Sequence, residues 1–83
     1  PSPFNPACTV VFTLAQAGPV DLVVYDLRGR RVSVLVAEGR AAGRHLVTWD
    51  GRDHAGRALA SGVYLIRMRA GDRSAVRKAL LVR

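Results

Sequence analysis

Residues 20–36 read Val20-Asp21-Leu22-Val23-Val24-Tyr25-Asp26-Leu27-Arg28-Gly29-Arg30-Arg31-Val32-Ser33-Val34-Leu35-Val36. Val20, Leu22 and Val24 recur at every second position and Asp21 points the other way, which is the period of a half-buried strand. Arg28-Gly29-Arg30 then interrupts the run, and Gly29 supplies the positive φ that a tight hairpin turn requires. The chain re-enters an apolar run at Val32–Val36. Two strands joined this closely must be antiparallel, because a parallel pair needs a crossover of about a dozen residues or more.

The same pattern extends in both directions. Upstream, Cys8, Val10, Phe12 and Leu14 alternate with Thr9, Val11 and Thr13. Downstream of a Gly39–Gly43 connection, His45, Val47 and Trp49 share one face, and Leu46 and Thr48 share the other. A polar loop, Asp50-Gly51-Arg52-Asp53-His54-Ala55-Gly56-Arg57, follows, with a short edge strand expected at Ala58–Ala60. From Val63 to Arg69, Tyr64, Ile66 and Met68 oppose Leu65, Arg67 and Arg69, which puts the cations on the wet face. Gly71-Asp72 turns the chain into a last strand, Arg73 to Val82, whose apolar set Val76, Leu80 and Val82 shares a face with Lys78. A bulge or a snorkelling Lys78 would reconcile that register. Glycines and prolines recur too often for helices. The reading is an all-β protein: a small antiparallel immunoglobulin-like β-sandwich of six to seven strands. Its inward set is Val10, Phe12, Leu22, Val24, Val47, Trp49, Tyr64 and Ile66.

With 83 residues the chain is expected to be a single domain, residues 1–83. Apolar residues make up 49% of it and aromatic ones only 6%, which suits a thin layer between two sheets better than an aromatic-lined pocket. It opens on Pro1-Ser2-Pro3 rather than on Met or a basic signal segment, so a fragment of a longer polypeptide is expected. No stretch approaches the roughly 18 apolar residues that a membrane span needs.

Thirteen Lys and Arg against six Asp and Glu give a net charge of +7. Such a surface could attract nucleic acid, anionic lipid or an acidic polymer. The cations are spread from Arg28 to Arg83 rather than clustered, so nucleic acid is not the expected partner. A binding module for anionic polymers remains a third class of function.

Catalysis needs a nucleophile or metal with a base in reach. Cys8 is the lone cysteine, His45 reads as a packing residue and His54 as a solvated one, so no enzyme is expected. Asp50 and Asp53 invite a calcium reading, but Arg52 and Arg57 interrupt them and no closing Glu follows. Turn chemistry, with aspartates accepting backbone N–H groups, explains the loop better. The inward phase of Trp49 argues core rather than sugar platform. No cofactor and no metal ligand set is expected.

Four segments in order carry a family resemblance: Pro3-Phe4-Asn5-Pro6, Val24-Tyr25-Asp26-Leu27-Arg28-Gly29-Arg30, Trp49-Asp50-Gly51-Arg52-Asp53 with Gly56, and Ser61-Gly62-Val63-Tyr64. Arg77-Lys78-Ala79-Leu80-Leu81-Val82-Arg83 completes the set. Together they resemble the type A C-terminal sorting domain of the bacterial type IX secretion system, and equally the immunoglobulin-like domain of the flagellar hook-capping protein. The chain departs from the usual opening at Ser2, and Cys8 stands where Thr is usual.

The first resemblance implies a non-catalytic C-terminal sorting and attachment module. It would direct a large exported protein across the outer membrane to a secreted or cell-surface location in a bacterium. Its partner would be the secretion machinery of that membrane, and its recognition residues Gly62, Tyr64, Lys78 and Arg83. Recognition by strand addition would use the Gly62–Tyr64 strand and the Lys78–Arg83 end as edges. The second implies a structural interaction domain of an extracellular assembly such as a flagellar hook cap.

Overall fold

The structure, a computed structural model, describes residues 8–83; the Pro3–Pro6 segment of the family resemblance lies outside them. Six strands follow in order: β1 Cys8–Leu14, β2 Gly18–Tyr25, β3 Arg31–Arg40, β4 Gly43–Trp49, β5 Gly62–Ala70 and β6 Arg73–Leu81. They form two antiparallel sheets. β1 pairs with β4, and the larger sheet runs β3-β2-β5-β6. The chain is an all-β sandwich, as the alternating residues require.

The β2–β3 hairpin sits where the sequence places it, with Gly29 at φ 83°. Two register shifts, at Leu22/Val23 and Val24/Tyr25, offset β3 against β2. These irregularities let Ser33 and Val36 both turn inward from one strand.

The core lies between the sheets. β1 contributes Phe12 and Leu14, β2 contributes Val20, Leu22 and Val24, and β4 contributes Trp49. Tyr64, Ile66, Ala79 and Leu81 come from β5 and β6. Val10 and Val47 are half-buried against this cluster. Trp49 is 2% exposed and meets Tyr64 edge-on, ring centroids 5.3 Å apart, in the geometry that aromatic quadrupoles favour.

The last strand corrects one expectation. Pairing of β5 with β6 is continuous from Gly62↔Leu81 to Ala70↔Arg73, without a bulge. Ala79 and Leu81 are the buried residues, and Val76, Leu80 and Val82 face solvent beside Lys78. Small Ala79 fills the inward position opposite Tyr64, so the more apolar face is the one left out.

The edge assignment is corrected as well. β5, which carries Gly62 and Tyr64, lies between β2 and β6 and is an interior strand; β6 alone forms that edge. The strand expected at Ala58–Ala60 is reduced to a single bridge, Arg52↔Ala58.

Candidate functional site

The two sheets are closed at one end by the excursion between β4 and β5. Trp49 anchors it from below by donating its indole N–H to the Arg52 carbonyl at 3.0 Å. Gly51 then passes directly over Leu81. A Cβ on Gly51 would stand 2.8 Å from Leu81 Cδ1, and its φ of +76° is one that side chains resist. Arg83 completes the closure with Nη2 to the Gly51 carbonyl at 2.7 Å, Nε to the Leu59 carbonyl, and its backbone N–H to Ser61 Oγ at 3.0 Å. His54 N–H donates to Val32 O at 2.9 Å, tying the excursion to β3.

Two loops share one local design. Asp26-Leu27-Arg28-Gly29-Arg30 and Asp53-His54-Ala55-Gly56-Arg57 are both Asp-x-x-Gly-Arg. In the first, Asp26 Oδ1 accepts the Arg28 and Arg30 backbone N–H groups at 2.9 Å each, and Oδ2 accepts Arg30 Nε at 3.0 Å. In the second, Asp53 Oδ1 accepts Ala55 and Arg57 N–H at 2.9 Å, and Oδ2 accepts Arg57 Nε at 3.2 Å. Both glycines have φ 83°. The Arg30 backbone N–H holds the Asp26 carboxyl below its ordinary value, helped by the Arg30 side chain and the Arg28 N–H. The Arg57 backbone N–H does the same for Asp53, with the Ala55 N–H and the Arg57 charge behind it.

The turn chemistry expected of Asp50 and Asp53 is therefore present, since Asp50 Oδ1 also accepts the Arg52 N–H at 3.1 Å. Among the described residues no cluster of three or more His, Cys, Asp or Glu could hold a metal ion. His45 is a packing residue: its ring stacks on Phe12 at 5.2 Å, and Nε2 donates to the Ala41 carbonyl at 2.7 Å. The duplicated Asp-x-x-Gly-Arg loop was legible in the sequence as a five-residue repeat, and reading the two stretches as separate turns hides it.

The four residues assigned to recognition lie along the β5–β6 ladder and its end, but not on one face. Tyr64 is buried, and its O–H donates to the Ala60 carbonyl at 2.7 Å, four residues upstream. That is the staple of a tyrosine corner, in which a strand-start Tyr ties down the preceding turn. Gly62 opens β5 opposite Leu81, and Arg83 belongs to the closure just described. Lys78 stands exposed on the outer face of β6, opposite Leu65.

Away from the closed end the sandwich is open. Among the described residues the upper sheet has two strands over four. Arg73 to Lys78 are all exposed, including Ala75 and Arg77, which lie on the same face of the strand as buried Ala79 and Leu81. A groove of about 380 Å³ runs there between β1 and β6, floored by Ile66 and Met68.

A sandwich of this kind, with Asp26, Asp50, Asp53 and Arg83 spent on closing loops and an open flank beside a closed end, defines an immunoglobulin-like domain. Family comparison is more specific. The model of the FlgD Ig-like domain matches residues 7–74, and the chain belongs to that family. Two solved structures share the fold. FlgD from Xanthomonas campestris, described for hook capping essential to flagellar assembly, is 31% identical with a TM-score of 0.70, over 93% of this chain and 55% of that one. FlgD from P. aeruginosa is 23% identical with a TM-score of 0.69, over 90% of this chain and 60% of that one. The chain thus spans less than two thirds of either protein. No curated protein matches it. The family match and the Xanthomonas campestris structure fall on the hook-capping side of the resemblance and lend no support to the sorting-domain side.

Proposed function

We propose that this chain is a structural interaction domain of a flagellar hook-capping protein, working in an extracellular assembly after export. The family match over residues 7–74 carries this reading. Its physical features suit the role. Trp49, the Tyr64 staple and the Arg83 closure fix the shape of the module, and the outer strand surfaces remain free to be shared with neighbours. Of the four residues expected to be recognised, Lys78 is the one presented to a partner. Gly62, Tyr64 and Arg83 are assigned to maintaining the fold.

The test is a chimera. In FlgD of Xanthomonas campestris, the segment equivalent to residues 8–83 is replaced by this chain and expressed in a strain lacking its own copy. Hooks visible by electron microscopy support the reading. A stable, exported chimera that builds none contradicts it. In a type IX host, a periplasmic reporter carrying residues 1–83 is expected to stay in the periplasm. Its delivery to the surface would favour the sorting role instead.

A further inference from the structure

Edge strands expose unpaired N–H and C=O groups, and proteins guard them with charges, prolines or bulges. In this sandwich β3, β4 and β6 are guarded: β3 by Arg31, Glu38 and Arg40, β4 by Arg44, and β6 by Arg73, Arg77 and Lys78. β1 is different. Cys8-Thr9-Val10-Val11-Phe12-Thr13-Leu14 holds no charge, proline or glycine, and among the described residues it is an edge with β4 on one side only. Its seven residues combine high β-propensity with full alternation, which is the pattern that pairs with a further strand when left bare.

Beside that edge lies the groove. Ile66 and Met68 form its floor, and Ala75 and Arg77 form its far wall. Arg77 is paired in register with Ile66, and Ala75 with Met68, so both belong to the inward-facing set of β6 yet stay exposed because the upper sheet stops at β1. A strand added to β1 would cover them. Arg77 and Lys78 make no ion pair with a carboxylate among the described residues, whereas Arg30, Arg40, Arg52 and Arg57 each do.

We infer that the seam between β1 and β6 receives an extended segment of a partner protein, about seven residues long, which pairs with β1. Every second side chain of that segment is apolar and enters the groove over Met68 and Ala75, and one carboxylate meets Arg77 or Lys78. Charge complementarity selects this occupant over a second copy of the chain. A two-fold β1–β1 contact would bring two sets of Arg77 and Lys78 to one seam, in molecules of net charge +7. This inference rests on the reading of the chain as an interaction domain and names the surface and the chemistry of its partner.

The experiment uses residues 1–83 and a set of seven-residue peptides alternating valine with threonine, with a glutamate placed at each position in turn. At least one peptide is expected to bind with Kd below about 1 mM. Amide shifts should be confined to Cys8–Leu14 and Arg73–Lys78, and alkylation of Cys8, which lines the groove, should slow several-fold. Glutamine in place of the glutamate should weaken binding, as should Arg77→Glu. Ala75→Trp should fill the groove and abolish binding; Arg77→Glu, at an exposed position, serves if that variant does not fold. The inference is overturned if no peptide binds by 1 mM, if the shifts fall on β3 or β4, or if the free chain dimerises through β1. It also fails if binding appears only after residues 1–7 are removed, since the chain's own start would then be the occupant. A chimera that builds no hooks while the peptide still binds removes the hook-cap reading and leaves the seam in place.

Discussion

The two halves of β6 have the same backbone pairing and opposite surroundings. From Ala79 to Leu81 the inward residues are buried at the end closed by the Gly51 excursion and by Arg83, which bonds to it. From Arg73 to Lys78 every residue is exposed, although β5 pairs with both halves in one unbroken register. Strand formation and core formation are thus separate events in this fold. Hydrogen bonding to β5 makes β6 a strand throughout, and cover from the opposite layer decides which half belongs to the core. The closed half gives the module its stability, and the open half leaves a surface to be shared.

Trp49→Ala should have the largest effect. Removing a 2% exposed indole that packs on Tyr64 and holds the Arg52 carbonyl should cost roughly 3–5 kcal/mol, read as a shift in the urea midpoint. In a domain this small that is a large share of the total stability. A loss under about 1 kcal/mol would mean that the closed end does not carry the core.

Gly51→Ala against Gly29→Ala sharpens the contrast. Both glycines have positive φ, +76° and +83°, so each alanine pays a backbone cost of roughly 1–2 kcal/mol. Only at Gly51 does the new methyl also meet a neighbour, Leu81 Cδ1 at 2.8 Å. Overpacking should add about 1 kcal/mol or more there, and equal losses at the two sites would deny the close approach.

Arg83→Gln should cost about 1 kcal/mol by breaking the contacts to Gly51 and Leu59, whereas Lys78→Gln on the open half should change stability by less than about 0.5 kcal/mol. Thermal melts of the two variants, side by side, give the comparison. If Lys78→Gln were the more damaging, the assignment of closed and open halves would be reversed.

Acid should act on the two Asp-x-x-Gly-Arg loops together. Both carboxyls are held below the ordinary value of 3.8, so the unfolded chain takes up protons before the folded loops do. The stability they contribute is present in full above that value and is lost as pH falls through their folded values. Denaturant midpoints should therefore fall below about pH 4, and the fall should be shallower in an Asp26→Asn, Asp53→Asn double variant. An unchanged pH profile in that variant would show that the loop carboxylates contribute nothing.

Much of this fold was legible in the sequence because alternation is a local signal. The inward set Phe12, Leu22, Val24, Trp49, Tyr64 and Ile66 is buried as the two-residue period demands. β6 misled because hydrophobicity there runs against burial: Val76, Leu80 and Val82 are more apolar than the small residues opposite, yet Ala79 is what fits across from Tyr64. Strand order was harder to read still. The β5–β6 hairpin follows from the Gly71-Asp72 turn, but nothing local to Gly62–Tyr64 says that β5 will also be flanked by β2, because that pairing joins residues distant in sequence. The closure by Arg83 was hidden for the same reason, since its partners lie 24 and 32 residues away. Arg83 reads as one more surface cation until the fold brings it to Gly51.

The division of β6 into a covered and an uncovered half can be measured directly by native-state hydrogen exchange. Amides of Ala79–Leu81 and of Tyr64, beneath the closed end, should exchange only on global unfolding, with protection that follows the denaturant midpoint. Amides of Arg73–Lys78 and the outer edge of β1 should exchange through local opening that denaturant hardly affects. Uniform protection along β6, with both halves lost at the same free energy, would contradict the account.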